Sequence, residues 1–219
     1  MEQMFKFIIL DFDRTLVFLN ADWPKVRQRI SNLCEENGFS AHRELPLFDS
    51  IHRAYDDFLE LTGDEEKAKK FYKNLLLINK EEESAGIEKS VPVTGALDFL
   101  KWLEKEKIRF GILSNNSRDT IEKCFEKFFF IRPEIIISNE DVWNQKPDIE
   151  GLQKMLIYAG LNINDCLFVG DSEIDALLGK NASIRTVILN TYYVENQKPR
   201  TFEGEFAENF DDIKSIIKK

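Results

Sequence analysis

Residue types that commonly build zinc sites, disulfide frameworks and histidine-dependent active sites are scarce in this sequence. Its 219 residues include three cysteines, Cys34, Cys124 and Cys166, and two histidines, His42 and His52. The cysteines are odd in number and widely spaced, so neither a disulfide framework nor a cysteine zinc site is expected. Two histidines leave little material for a histidine zinc site or a serine–histidine–aspartate triad.

Long apolar runs and an excess of positive charge are also missing. No stretch approaches the roughly 20 apolar residues that a membrane span needs, and the first residues lack the pattern of a secretion signal. The formal net charge is −9, from 30 basic and 39 acidic residues, which disfavours nucleic acid and anionic membranes as partners. We therefore expect a soluble cytoplasmic protein without a nucleic-acid or membrane partner. The sequence does not indicate its oligomeric state.

Short apolar runs alternate with longer helix-like stretches, which is typical of a mostly parallel α/β sheet. The predicted strands cover residues 5–10, 110–113, 135–138, 166–169 and 186–189. Each run is apolar at nearly every position, as expected for strands that are covered on both faces. Polar clusters follow the first, second and fourth runs. Since ligands bind at the carboxyl ends of strands in such sheets, these clusters form a site hypothesis.

About 80 residues beyond a simple crossover separate the first two strands, so this segment must fold by itself. Its pattern predicts helices over residues 23–37, 45–61 and 64–79, and a further helix over 96–106 follows it. We therefore expect a core domain formed by residues 1–16 and 91–219, with an inserted helical domain over 17–90. The polar, irregular segment 190–205 receives no assignment.

Two of the polar clusters are rich in carboxylates. Asp11 and Asp13 directly follow the first strand, and Asp171 and Asp175 follow the fourth. One carboxylate of a pair can attack phosphorus while its neighbour transfers protons. Four carboxylates at one crevice would repel one another unless a cation held them, and oxygen ligands of this kind suit Mg²⁺. Taken singly, each could equally be a turn or helix-capping residue.

The remaining polar residues could bind phosphate. Ser114 and Asn115 offer a hydroxyl and an amide after the second strand, although Ser117 nearby could simply cap a helix. Lys146 precedes Pro147, which suits the first position of a helix, and would lie just outside that helix. A lysine there could neutralise a phosphate, but a solvated surface lysine would give the same pattern.

The ordered set D-x-D-x-T, Ser-Asn, Lys-Pro and G-D-S-x-x-D, each at a strand end or helix start, resembles the four motifs of the haloacid dehalogenase superfamily. Within that superfamily the chain resembles the C1-capped phosphatases of the phosphoglycolate phosphatase group. This resemblance implies a Rossmann-like parallel sheet with strand order 5-4-1-2-3 and an inserted helical cap domain. It also implies a Mg²⁺-dependent phosphatase that acts on a small phosphorylated metabolite.

The resemblance further implies roles for individual residues. Asp11 would be the nucleophile that forms an aspartyl-phosphate. Asp13 would protonate the leaving alcohol and later activate water. Ser114 and the backbone at Asn115 would bind phosphoryl oxygens, and Lys146 would stabilise the developing charge.

The metal site follows from the same resemblance. Mg²⁺ would be held by Asp11, the carbonyl of Asp13 and Asp171. Asp175 would either bind the metal through water or orient Lys146.

One departure and several alternatives accompany this interpretation. Arg14 stands where the family usually has glycine, so we expect ordinary backbone angles there. The second aspartate, Asp13, argues against a dehalogenase, which has no leaving alcohol to protonate. A phosphomutase would keep every motif. A binding or regulatory module that had lost turnover would be expected to lose a motif residue, and this sequence keeps all four motifs.

Overall fold

The computed structural model describes residues 5–129, 131–190 and 204–218. The chain forms two compact units, a core unit containing the chain up to Leu19 and from Ser90 onward, and an inserted unit, Asn20–Lys89. In the described ranges, no helix is both long enough and apolar enough to cross a membrane. The segment 190–205, which the sequence left without assignment, lies largely outside the described residues.

The strands are β1 (Phe7–Leu10), β2 (Val17–Phe18), β3 (Val91–Pro92), β4 (Arg109–Leu113), β5 (Ile135–Ile137), β6 (Cys166–Gly170), β7 (Thr186–Leu189) and β8 (Glu205–Ala207). Six of them form one parallel sheet in the order β5-β4-β1-β6-β7-β8. The short strands β2 and β3 form a separate antiparallel pair.

The helices are α1 (Trp23–Glu36), α2 (Leu47–Thr62), α3 (Glu65–Gly86), α4 (Ala96–Lys105), α5 (Arg118–Phe128), α6 (Glu150–Ala159), α7 (Glu173–Ala182) and α8 (Phe210–Ile217). The first three belong to the inserted unit and the other five to the core unit.

The predicted α/β fold is confirmed. All five predicted strands are present, and counted as predicted they lie in the order 5-4-1-2-3, with β1 at the centre. A sixth strand, β8, extends the sheet beyond β7. It was not predicted because three residues are too few to show a periodic pattern. One of the three, Ala207, is fully buried.

The central strand is covered on both faces, which explains its uninterrupted apolar sequence. All four residues of β1 are fully buried, and successive side chains point to opposite faces of the sheet. Phe7 and Ile9 belong to one core cluster with residues of α6 and α7. Elsewhere in the core unit, Phe99 of α4 stacks on Phe210 of α8 with ring centroids 4.8 Å apart.

The inserted unit consists of α1, α2 and α3 around an aromatic core in which Phe58 and Phe71 stack at 4.4 Å. Its helix ends follow the sequence signals. Asp22 caps α1 by accepting a hydrogen bond from the backbone of Lys25, and Gly63 ends α2 with a φ of 62°, a conformation that glycine adopts without strain.

Helix α3 was predicted to end at residue 79 but continues to Gly86. The extra turns are rich in charged residues, so the apolar pattern that marks a helix disappears. Ion pairs to α1 hold them instead, because Glu82 lies 2.8 Å from Lys25 and 3.0 Å from Arg29. At its end, a Cβ on Gly86 would overlap the backbone of Asn20.

Candidate active site

The chemistry-bearing residues of the core unit come together at the carboxyl end of the sheet. Asp11 directly follows β1, Ser114 follows β4 and Asp171 follows β6. Strand β1 is hydrogen-bonded to both β4 and β6, and its last residue, Leu10, pairs with Ile112 and Val169. The three polar residues therefore lie at the ends of three adjacent strands, as the sequence predicted.

A buried ion triad forms the centre of the site. The ammonium Nζ of Lys146 lies 2.6 Å from Oδ1 of Asp11 and 2.6 Å from Oδ1 of Asp175. All three side chains are buried: Asp11 is 6% exposed, Lys146 7% and Asp175 1%. On its other oxygen, Asp11 accepts a hydrogen bond of 3.1 Å from the hydroxyl of Thr15. Both carboxylate oxygens of Asp11 are thus held in defined directions.

Burial and charge shift the pKa values of Asp11 and Lys146 in opposite directions. Burial raises the pKa of Asp11 from its ordinary value of 3.8 to about 6, although the ammonium of Lys146 opposes the rise. Burial by itself would lower the pKa of Lys146. The attraction of Asp11 and Asp175 outweighs it, so the pKa of Lys146 is raised above its usual value. The ammonium therefore stays charged across the physiological range.

Asp175 is fixed by the start of helix α7. Ser172 caps this helix, and Oδ2 of Asp175 accepts hydrogen bonds from the backbone N–H and the hydroxyl of Ser172, at 3.1 and 2.6 Å. A Cβ at Gly170 would overlap the Asp175 carboxylate, which explains the glycine in the G-D-S motif. With Oδ2 in this cap and Oδ1 on Lys146, both oxygens of Asp175 are engaged.

Three carboxylates at this site could hold a cation. Asp11, Asp171 and Asp175 offer oxygens that all lie within 4.8 Å of one another. Burial and repulsion from Asp11, Asp175 and Asp13 raise the pKa of Asp171 well above its usual range. The cluster carries more negative charge than Lys146 neutralises, and a divalent cation would relieve the excess. Buried carboxylate oxygens of this kind fit Mg²⁺.

The turn after β1 differs from expectation at Arg14, which has a φ of 66° rather than ordinary angles. Hydrogen bonds on both sides impose this conformation. The Arg14 N–H donates to the carbonyl of Val17 at 2.6 Å, and the Leu16 N–H donates to the carbonyl of Phe12 at 2.9 Å. The tight turn therefore forms with arginine in a left-handed conformation that glycine would adopt more easily.

The second aspartate of the first motif lies in the same turn. Asp13 accepts a hydrogen bond of 2.9 Å from the backbone N–H of Leu19 through its Oδ1. Its charge adds to the repulsion that raises the pKa of Asp171.

Ser114 is buried and forms hydrogen bonds within its own loop. Its hydroxyl donates to the side-chain oxygen of Asn116 at 2.9 Å and accepts from the Asn116 backbone N–H at 3.2 Å. The nearby Ser117 caps α5, as the sequence allowed. Neither Asn116 nor Thr15 was assigned a role from the sequence. Thr15 belongs to the D-x-D-x-T motif and could have been recognised, whereas Asn116 carries no local signal.

Lys146 does not precede a helix directly, which corrects one sequence expectation. Helix α6 begins at Glu150 rather than at Pro147. A turn intervenes, in which the Asp148 N–H donates to the carbonyl of Gln145 at 3.0 Å and the Asp148 side chain accepts from the backbone of Glu150 at 2.8 Å. Lys146 thus sits in an ordered loop.

Comparison with known proteins agrees with this architecture. The family profile described as haloacid dehalogenase-like hydrolase matches residues 8–189. The chain is 27% identical over 131 residues to pyrophosphatase PpaX of Halalkalibacterium halodurans, covering 58% of this chain and 60% of that protein. It is 28% identical over 229 aligned residues to a phosphoglycolate phosphatase of Pseudomonas fluorescens, covering 99% and 82%.

A solved structure described as a predicted phosphoglycolate phosphatase from Haemophilus somnus has a TM-score of 0.65 at 20% identity, and the match covers 98% of this chain and 99% of that one. This likeness shows a shared fold.

The chain spans between 39% and 60% of the length of four of the curated relatives it matches. Because the family profile covers most of the chain, including every side chain of the site, the protein belongs to the haloacid dehalogenase-like hydrolase family.

Proposed function

We propose that this protein is a Mg²⁺-dependent phosphatase that hydrolyses small phosphomonoesters through a phosphorylated Asp11. The observation that carries the proposal is the buried Asp11 carboxylate at the end of the central strand, held by Lys146 and Thr15. A carboxylate oriented from two sides, next to a permanently charged ammonium, suits attack on an anionic phosphoryl group.

In the first step, an oxygen of Asp11 forms a bond to phosphorus while the bond from phosphorus to the leaving oxygen breaks. Asp13, which is protonated when the substrate is bound, gives its proton to that leaving oxygen. In the second step, Asp13 takes a proton from water, whose oxygen attacks phosphorus and releases the Asp11 carboxylate. Ser114 and the backbone N–H of Asn115 bind the phosphoryl oxygens, and Lys146 stabilises the charge that develops on them.

Asp11, Asp171 and the main-chain carbonyl of Asp13 are the groups that would hold Mg²⁺. The bound ion would supply positive charge to the phosphoryl oxygens and offset the repulsion within the acidic cluster. For Asp175, whose oxygens contact Lys146 and Ser172, the geometry favours orienting the lysine over binding the metal.

The substrate class is proposed from the names of the relatives. Some are named phosphoglycolate phosphatase and others pyrophosphatase PpaX. Both names refer to small phosphorylated compounds, which agrees with the small phosphorylated metabolite expected from the sequence. 2-Phosphoglycolate and inorganic pyrophosphate are therefore the first compounds to test.

The test is phosphate release by purified protein from 4-nitrophenyl phosphate, 2-phosphoglycolate, pyrophosphate and a set of sugar phosphates, with Mg²⁺ or with EDTA. We expect turnover in Mg²⁺, loss of turnover in EDTA, and a fall of at least about a thousandfold in Asp11→Asn. Asp98→Asn, at an exposed aspartate in the first turn of α4, serves as the control and should retain activity. A folded wild-type protein that releases no phosphate from any compound would overturn the proposal, and transfer of phosphate within a sugar phosphate would indicate a mutase.

A further inference from the structure

The backbone of Lys146 is held by the side chain of a residue from another loop. The Asn115 Oδ1 accepts a hydrogen bond from the Lys146 N–H at 2.9 Å, and the Asn115 Nδ2 donates to the Lys146 carbonyl at 3.0 Å. A carboxamide presents a donor and an acceptor side by side, so one side chain pairs with both polar backbone groups of the lysine. The two residues are 31 positions apart in the sequence.

Other contacts of this loop fix its flanks rather than Lys146 itself. The Glu150 carboxylate accepts from the backbone N–H groups of Trp143 and Asn144, at 3.2 and 2.9 Å. On the other side, Asn181 of α7 donates to the carbonyl of Pro147 at 3.0 Å. The bonds from Asn115 are those that act on the lysine's own peptide groups and originate in the phosphate-binding loop after β4.

We propose that the Asn115 side chain is a positioning residue, which sets the Lys146 ammonium relative to the phosphoryl oxygens bound by Ser114 and the Asn115 backbone. This inference rests on the proposed phosphatase function. Asn115 follows Ser114 directly, so one short segment carries both the phosphate donors and the clamp on the lysine. The distance between the phosphate-binding loop and the lysine backbone is thereby fixed by two hydrogen bonds.

Other side chains do not reproduce this contact. Aspartate keeps the acceptor for the Lys146 N–H but places a second acceptor against the Lys146 carbonyl. Serine and alanine are too short to reach both groups. Since a displacement of about 1 Å at a catalytic group can cost about a hundredfold in rate, loss of the clamp should be visible in turnover even though the ammonium and its two carboxylate partners remain.

The test is a double-mutant cycle on the Mg²⁺-loaded protein with its best substrate. Asn115→Ala should lower kcat by about 10- to 100-fold, the range typical of groups that orient an active-site residue, and change KM by less than about threefold. In a Lys146→Met background, where there is no ammonium to position, Asn115→Ala should change kcat by less than about threefold. Asn164→Ala, an exposed asparagine in the turn before β6, is the matched control and should leave both values unchanged.

Three outcomes separate the possibilities. Equal losses from Asn115→Ala in both backgrounds would overturn the inference, because the side chain would then act independently of the lysine. An unchanged kcat in Asn115→Ala would also overturn it while leaving the phosphatase function intact, whereas inactive wild-type protein would count against the phosphatase function itself. If circular dichroism shows that Asn115→Ala does not fold, Asn115→Ser takes its place. In either case the dissociation constant of orthovanadate, measured for the four proteins of the cycle, gives a second readout with the same expected pattern.

Discussion

Replacing Asp11 with asparagine is expected to abolish turnover and, in the absence of metal, to stabilise the protein. In the folded chain the pKa of Asp11 is raised by burial from 3.8 to about 6. Its ionised form is therefore less favourable in the folded state than in the unfolded state. The contribution of this group to stability is greatest below pH 3.8 and is lost as the pH rises through about 6.

The magnitude follows from the difference between the two pKa values. About two pH units correspond to about 3 kcal/mol at neutral pH, and Asp11 is only 6% exposed, so solvent screens little of this energy. Asparagine keeps the shape without the charge. For a chain of this length, about 3 kcal/mol raises the melting temperature by roughly 6–12 °C. The gain should be about half as large at pH 5 and about a fifth as large at pH 4.

The assay is thermal unfolding of wild type, Asp11→Asn and the Asp98→Asn control in EDTA between pH 4 and pH 8, then in Mg²⁺ at pH 7.5. Mg²⁺ should raise the melting temperature of wild type and reduce the advantage of Asp11→Asn, because the cation offsets the same negative charge. A variant that melts below wild type in EDTA at pH 7.5, or a difference that does not change with pH, would refute the reasoning.

Three further predictions concern other parts of the core and inserted units. Asp175→Asn should lower kcat at least about tenfold by releasing Lys146, and unchanged steady-state kinetics would contradict its role. Arg14→Gly should be more stable than Arg14→Ala by about 1 kcal/mol in urea unfolding, because glycine adopts a φ of 66° without strain. Equal stabilities would show that the left-handed conformation at this position costs no free energy. The thiols of Cys34 and Cys166 are buried and burial raises the pKa of each to about 11, so Ellman's reagent should label them only after unfolding, and rapid labelling of the native protein would contradict their burial.

The sheet was predictable because its strands are covered on both faces. The strand cores are continuous apolar runs, and polar residues follow the runs that precede Asp11, Ser114 and Asp171. The parallel arrangement then brings the strand ends together. The general placement of the site thus follows from local sequence.

The contacts that complete the site could not be predicted from local sequence patterns, and the one between Asp175 and Lys146 was suggested only by the family resemblance. Lys146 contacts Asp11, which is 135 positions away in the sequence, and Asp175, which is 29 positions away. No local sequence pattern indicates contacts between residues so far apart in the chain. The pairing of Asn115 with the lysine backbone is equally non-local. The left-handed angle at Arg14 was missed because the turn's hydrogen bonds outweigh the intrinsic preference of arginine.

The most direct measurement is detection of the phosphoryl group on Asp11 itself. Wild-type protein is mixed with its best substrate in Mg²⁺, quenched in acid within the first turnover, and digested for peptide mass spectrometry. The account predicts one added phosphoryl group on the peptide that contains Asp11, and none in Asp11→Asn. Phosphate release without any adduct at Asp11, or with an adduct on another residue, would contradict it.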